Sequence, residues 1–351
     1  MGNLTYSWSF TFVLQGIPGL EAYHMWFSVA VCTSYVIIVA GNSIILLVIV
    51  SEPALHRPMY YFLCMLSTID LAATTSTLPK MLSIFWFQAR EIRFNTCLAQ
   101  MFFIHALCMM ESAVLLSMAV DRYVAICFPL RYNSFFTGSL VAKMEIAAVV
   151  RGTLLMCPCP FLIKRLSFCW TNVIHHTYCE HMAVVRLACG DTRINSAYGL
   201  SVALIVIGGD LLCIGLSYFF IVRAVLRLSS SEARFKAFGT CGSHLCVLTI
   251  SYTPALFSFF TYRFGHNVAP RVHILLANLY LLVPPMLNPI VYGVRTKEIR
   301  EQISKGFCEN ASGSISWPKE ESGEIISMIF KSARLKSSLG SSVEDNLEKV
   351  V

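Results

Sequence analysis

Asp121 and Arg122 stand side by side at the end of an apolar run that begins near Cys97. An α-helix rises ~1.5 Å per residue, so Cys97 to Arg122 covers about 37 Å, enough to cross a bilayer. A carboxylate and a guanidinium there sit at headgroup depth, where each clasps the other until a partner displaces it. The pair is a candidate switch; the plainer reading is that it marks the end of a membrane helix. Two more acids stand where charge is costly. Asp70 lies well inside the second apolar run, and Glu111 precedes Arg122 by about 17 Å of helix. An isolated carboxylate in hydrocarbon costs at least ~2.5 kcal/mol, so each needs a partner, a proton or a cation. A protonated, hydrogen-bonded pair that joins two helices meets that need, and so does a shared cation. Arg151 and Asp210 are a buried cation and acid in the fourth and fifth runs; their pairing is allowed by the sequence without being established by it.

The elements that position these residues follow from composition. The chain has 351 residues, 56% hydrophobic and 13% charged, which excludes an ordinary soluble globular protein. Seven apolar runs, residues 25–50, 58–87, 98–126, 140–163, 196–222, 238–261 and 272–294, are each long enough to cross a membrane. Residues 1–24 contain no Lys or Arg, whereas Arg295, Lys297 and Arg300 follow the last run, so the N-terminus is expected outside. No basic start with a compact apolar core marks a cleavable leader, so the first spanning segment is expected to target the protein. The net charge of +7 is spread without a dense basic patch, which argues against nucleic acid and for loops beside anionic lipid. The expected organisation is an extracellular segment 1–24, a membrane domain 25–294, a juxtamembrane amphipathic helix 295–308 and a Ser-, Glu- and Lys-rich disordered tail 309–351.

Local signals refine this picture. Gly16, Pro18 and Gly19 predict an ordered turn before the first run. Asn3-Leu4-Thr5 fits a glycosylation acceptor on the outer side; Asn310-Ala311-Ser312 matches too, but on the inner side. Gly41-Asn42 places a small residue for close packing beside an amide able to bond across helices. Pro158 and Pro160 should kink or stop the fourth helix, and Pro254 should hinge the sixth. Pro289 frees a backbone carbonyl, which Asn288 is expected to satisfy. Of 14 cysteines, Cys97, Cys169, Cys179 and Cys189 fall in outer segments, and four cysteines allow three pairings. Cys308 is a palmitoylation candidate.

Met118-Ala-Val-Asp-Arg-Tyr-Val-Ala-Ile-Cys127, followed by Pro129-Leu-Arg-Tyr132, resembles the third-helix signature of the olfactory receptors, a branch of the rhodopsin-like G-protein-coupled receptors. Leu55-His-Arg-Pro-Met-Tyr60, Lys236-Ala-Phe-Gly-Thr-Cys-Gly-Ser-His-Leu245 and Asn288-Pro-Ile-Val-Tyr292 are similar to further strings of that family. The segment from Phe12 to Trp26 resembles its class I, or fish-like, branch. The resemblance covers about residues 12 to 305.

It implies an all-α membrane fold: a rhodopsin-like seven-transmembrane helix bundle with a short amphipathic eighth helix, and no enzymatic activity. It pairs Cys97 with Cys179 and Cys169 with Cys189. A disulfide-bonded Cys179 is no thiolate ligand, so the His175-His176-Thr177-Tyr178-Cys179-Glu180-His181 string is not expected to hold a metal. No cofactor is implied beyond sodium as an allosteric ion, held by Asp70 and Glu111 with Ser117 and Asn288 as neighbours. The ligand cavity is expected among His105, Cys108, Met109, Gly199, Ala203, Tyr252 and Phe259, with His181 and Arg263 at its mouth. Arg263 would capture a carboxylate through its fork of donors; the plainer reading is a guanidinium snorkelling to water. Phe259 is bulky where relatives carry small residues, which limits ligand size.

Asp121, Arg122, Tyr123, Tyr218, Asn288, Pro289 and Tyr292 would form the switch, with Tyr218 meeting Arg122 in the active state. The implied partners are an odorant, a heterotrimeric G protein that raises cAMP, membrane lipid, and a kinase and arrestin at the tail, all at the plasma membrane. The rival reading is an ion-coupled transporter relaying charge through Asp70, Glu111, Arg151 and Asp210; an odd helix count and the lack of inverted repeats speak against it. An intramembrane aspartyl protease would need glycine where Ile207 precedes Gly208-Gly209-Asp210.

Overall fold

The computed structural model describes residues 10–169, 171–227, 230–264 and 269–311. Asn3 and the tail from residue 312 lie outside the described residues, as do the side chains of Arg263 and Cys308. In chain order the first long elements are α1 (His24–Ser51), α2 (Pro58–Phe87) and α3 (Phe94–Cys127). Pro58 opens α2 because its missing N–H is one of the unpaired donors of any helix start. Gln88 closes that helix in the left-handed region at φ 55°. After the short α4 (Tyr132–Phe135), Thr137 caps α5 (Gly138–Met156) by accepting from the Leu140 N–H. The helix breaks at Cys157 and resumes as α6 (Pro158–Lys164), which is the interruption expected from the two prolines.

A short α7 (His181–Val185) precedes α8 (Arg193–Ala203), a π turn at Leu204–Gly208, and α9 (Gly209–Leu226). Then come α10 (Ser231–Phe264), α11 (Pro270–Arg295) and α12 (Lys297–Ala311). Pro254 lies inside α10, which continues through it.

Six of these helical segments are long and apolar enough to cross a membrane: Glu21–Ser51, Phe94–Cys127, Gly138–Lys164, Arg193–Leu226, Ala237–Phe260 and Arg271–Gly293. The seventh expected span, α2, has the length, about 45 Å for its 30 residues. Asp70, Lys80 and several Ser and Thr dilute its apolar character, and four of these polar groups turn inward: Ser67, Asp70, Thr74 and Thr77 are buried. The outer surface is correspondingly apolar, with Leu154, Ile205, Leu212 and Phe219 all exposed. Polar inside and apolar outside is the pattern of a bundle solvated by lipid.

Of the apolar stretch of α3, 61% is buried, against 22% for α1, so α3 is the central post. It packs on α2, α5 and α9, while α1 with α11 and α10 with α11 complete the ring. Two glycines set close approaches. A Cβ on Gly152 of α5 would lie 2.7 Å from the Ala106 carbonyl oxygen of α3, and one on Gly41 of α1 would lie 2.8 Å from the Pro289 ring of α11.

That second contact corrects one expectation. Pro289 has no N–H for the carbonyl of Pro285, four residues back, and it is Asn42, not Asn288, that satisfies it, with Nδ2 donating at 3.1 Å. Asn288 turns instead to Asp70.

A three-stranded sheet covers one end of the bundle: β1 (Thr11–Leu14) lies between β2 (Glu91–Arg93), antiparallel, and β3 (Val173–Ile174), parallel. The predicted turn follows it, with Gly16 at φ 84° and Gly19 at φ 77°.

Candidate functional site

Beneath the sheet is a cavity of about 190 Å³. Its walls come from α3 (His105, Cys108, Met109), the α5–α6 break (Met156, Cys159), the loop into α7 (His176, Tyr178, Glu180, His181, Met182), α8 and the π turn (Gly199, Val202, Ala203, Ile207), α10 (Ala255, Ser258, Phe259) and α11 (Ala277, Tyr280). Seven of the residues expected from sequence therefore share one space: His105, Cys108, Met109, His181, Gly199, Ala203 and Phe259. Gly199 lacks a side chain where His181 needs room, since a Cβ there would meet the imidazole at 3.2 Å. The His105 and His181 rings lie edge to face at 6.3 Å.

The loop over this cavity is pinned. Cys97 at the start of α3 is bonded to Cys179, and Cys169 to Cys189. Gln100 accepts from the Cys179 N–H at 3.0 Å, and the Thr177 hydroxyl donates to Asn278 of α11 at 2.6 Å. His176 is buried in the same loop, and burial holds its imidazole down at about 3. Its neutral Nδ1 faces the Tyr178 N–H at 3.4 Å.

Tyr252 sits lower than expected. It lines a second, smaller space of about 20 Å³ with Glu111, Ser112, Leu115 and Ser251, which shares Cys108, Ile207, Ala255 and Tyr280 with the main cavity. The Cys108 sulfur and Tyr280 hydroxyl meet at 2.6 Å. Tyr252 is held there by Ser112, its hydroxyl 2.7 Å from the serine oxygen, and Ser112 donates to Asp210 at 2.6 Å.

Asp210 in turn receives Arg151 bidentately at 2.8 and 2.7 Å, while the same guanidinium donates to the Met109 carbonyl at 3.0 Å. One polar chain thus joins α5, α9, α3 and α10 directly under the cavity. A bidentate pair closed by further hydrogen bonds is the arrangement in which buried charges are tolerated.

The two mid-membrane acids are also placed. Asn288 donates to Asp70 at 2.9 Å, and Ser117 donates to the Ala113 carbonyl of its own helix at 2.8 Å. Glu111 Oε1 and Asn288 Oδ1 are buried without a hydrogen-bond partner among the described residues. Of the four residues expected to hold sodium, the hydrogen bonds join only Asp70 and Asn288 directly.

At the other end of α3, Arg122 meets Asp121 at 3.3 Å and the Tyr132 hydroxyl donates to Asp121 at 2.6 Å. Tyr218 is bonded to His244 of α10 at 2.7 Å, with the two rings stacked. The expected meeting of Tyr218 with Arg122 is therefore not made in this arrangement. Tyr123 packs between Phe128 and Phe220, and Tyr292 is buried with its hydroxyl 3.9 Å from the Met118 sulfur.

Met156, Cys159, Met182, Ser258 and Tyr280 in the cavity, and Ser112 and His244 in the polar contacts, were not among the expected residues. Only His244 was visible beforehand, inside the family-like string before the sixth run. The others depend on helix rotation and loop path, which no local pattern records.

A family model described as olfactory receptor matches residues 31–310. Human olfactory receptor 52P1 is 66% identical over 296 residues, covering 84% of this chain and 92% of that protein. Human olfactory receptor 52K1 is 56% identical over 305 residues, covering 87% and 97%. Squid rhodopsin, a solved crystal structure, superposes with a TM-score of 0.68 over 89% of this chain and 95% of that one; at 16% identity it speaks for the fold alone.

Proposed function

This chain belongs to the olfactory receptor family, and from that premise we propose a plasma-membrane odorant receptor, N-terminus outside, that binds a small ligand in the cavity under the pinned loop. Ligand binding would drive a stimulatory heterotrimeric G protein to raise cAMP. The observation that carries the reading is the position of the cavity. Met109 forms part of its wall, and the Met109 carbonyl, Arg151, Asp210, Ser112 and Tyr252 run in one chain from that wall to α10. A ligand favours the state for which it has the higher affinity, so a change at this wall can bias the position of α10 and the Asp121–Arg122 clasp.

The ligand we propose is a small, weakly acidic or neutral volatile, with Arg263 near the outer end of α10 as the carboxylate anchor. Sodium would be held by Asp70, Glu111, Ser117 and Asn288, where it supplies a charge that favours one packing of the mid-bundle. The same scheme assigns glycosylation to Asn3, palmitoylation to Cys308, and kinase and arrestin recognition to the tail. Ion transport through Asp70, Glu111, Arg151 and Asp210 is the weaker reading, because Arg151 and Asp210 are tied to each other.

The test is cAMP in cells expressing the wild type, Arg263→Ala and Arg122→Ala, challenged with matched short acids, alcohols and esters at equal surface expression. An acid response lost in both variants supports the reading. Acid responses unchanged in Arg263→Ala remove the anchor, and signalling unchanged in Arg122→Ala removes the switch.

A further inference from the structure

Sulfur is unevenly distributed in this molecule. The chain has 14 cysteines and 14 methionines among its 351 residues. Five sulfur side chains fall among the nineteen residues that line the main cavity, none of them in a disulfide. They stand on three sides: Cys108 and Met109 on α3, Met156 and Cys159 at the α5–α6 break, and Met182 on α7. The second pair flanks the helix break, which falls at Cys157, between Met156 and Cys159.

We propose that this collar of Cys108, Met109, Met156, Cys159 and Met182 selects one compact polarisable ring, an aromatic or thiophene-type odorant of about nine heavy atoms, over a saturated ring of the same shape. This rests on the reading of the cavity as the odorant site. Thioether and thiol sulfurs are polarisable and gain contact energy against the edge of an aromatic ring that they do not gain against a cycloalkane. The size follows from the space. An apolar cavity of about 150 Å³ accepts benzene, so about 190 Å³ accommodates a ring with one short substituent.

A polar handle for that substituent is present. His105 lines the cavity, and its Nε2 is buried without a hydrogen-bond partner among the described residues. An imidazole nitrogen so placed matches one carbonyl or hydroxyl on the ring. The selected class is then a monosubstituted aromatic or heteroaromatic ketone, aldehyde or alcohol.

The experiment measures cAMP dose–response curves in cells expressing the full chain, with acetophenone, 2-acetylthiophene and cyclohexyl methyl ketone as probes. The wild type should respond to both aromatic ketones at concentrations about fivefold lower than to the cyclohexyl ketone, within what one or two sulfur–ring contacts supply. The combined substitution Met109→Leu, Met156→Leu and Met182→Leu keeps volume and apolarity and should bring the ratio close to one at matched surface expression. Cys108→Ala and Cys159→Ala, tested separately, should each lower it in part. A ratio unchanged in the leucine variant, equal responses in the wild type, or no wild-type response to the aromatic ketones overturns the proposal. Gly199→Phe or Ala203→Phe, whichever reaches the surface, separates this from the underlying reading. Blocking that abolishes all responses keeps the cavity as the site, whereas responses that survive it place the ligand elsewhere and overturn both.

Discussion

Where α3 begins, Cys97 is covalently bonded to the loop over the cavity, and three strands tie the N-terminal segment to that loop and to the end of α2. Where α3 ends, Asp121 holds Arg122 in an ion pair of 3.3 Å and accepts from the Tyr132 hydroxyl, while Tyr218 and His244 form a separate hydrogen bond between α9 and α10. The first set of contacts needs bond breaking or strand separation to come apart; the second can exchange partners at small cost, since a hydrogen bond contributes about 1 kcal/mol net. On the proposed reading, a receptor of this build would hold its ligand chamber still and spend its freedom at the opposite end. The Arg151–Asp210–Ser112–Tyr252 chain lies between the two regions and belongs to neither.

The largest effect is expected at the pinned end. Cys97→Ser opens a disulfide with a sequence separation of 82 residues. Closing a loop of that length is worth about 4–5 kcal/mol in the chain-entropy account, so surface expression of the variant should fall close to background in flow cytometry. Arg122→Ala, at the exchangeable end, should be expressed normally; equal losses in the two variants would erase the distinction.

The polar chain between them is next. Arg151→Met leaves Asp210 as an uncompensated buried charge and should cost about 3–5 kcal/mol, read as thermal stability in detergent. The double substitution Arg151→Met with Asp210→Leu should recover most of that loss. A double variant as unstable as the single would show that the pair is not the source.

A smaller effect comes from packing. Gly152→Ala forces a Cβ to 2.7 Å from the Ala106 carbonyl and should destabilise by about 1–3 kcal/mol. A Cβ on Gly208 meets nothing within 4 Å, so Gly208→Ala should be neutral in the same assay.

The smallest is a pH effect on the pinned loop. His176 is held at about 3 in the fold, against ~6.5 for a free imidazole, so the folded chain binds fewer protons. Its contribution is complete above about pH 6.5 and is lost as pH falls toward 3. At pH 5.5 the loss is about 1.4 kcal/mol. His176→Leu should reduce the fall in thermal stability between pH 7.5 and 5.5, and an identical fall in both proteins would contradict the assignment.

Helix punctuation made element ends legible: the run 58–87 is reproduced as Pro58–Phe87, and the break before Pro158 falls where the prolines require it. The disulfide pairing came from family resemblance, because spacing alone leaves three choices. Other features were beyond the sequence for identifiable reasons. Arg151 and Asp210 are 59 residues apart on different helices, and only the rotation of α5 and α9 brings them together. The carbonyl freed by Pro289 was legible, but its donor, Asn42, comes from the far end of the sequence, 243 residues from Pro285. The strand Thr11–Leu14 has four residues and no alternation strong enough to mark it, and it is made by its neighbours β2 and β3.

On the proposed reading, ligand binding moves one end of the bundle and not the other. Spin labels introduced as unnatural amino acids at Arg131 and Phe235 report across the exchangeable end, and labels at Gln88 and Arg193 report across the pinned end; all four positions are exposed. Pulsed electron resonance distances should lengthen by several ångströms between the first pair when an activating ligand is added, and stay constant between the second. Equal changes at both ends, or a change confined to the Gln88–Arg193 pair, would contradict the account.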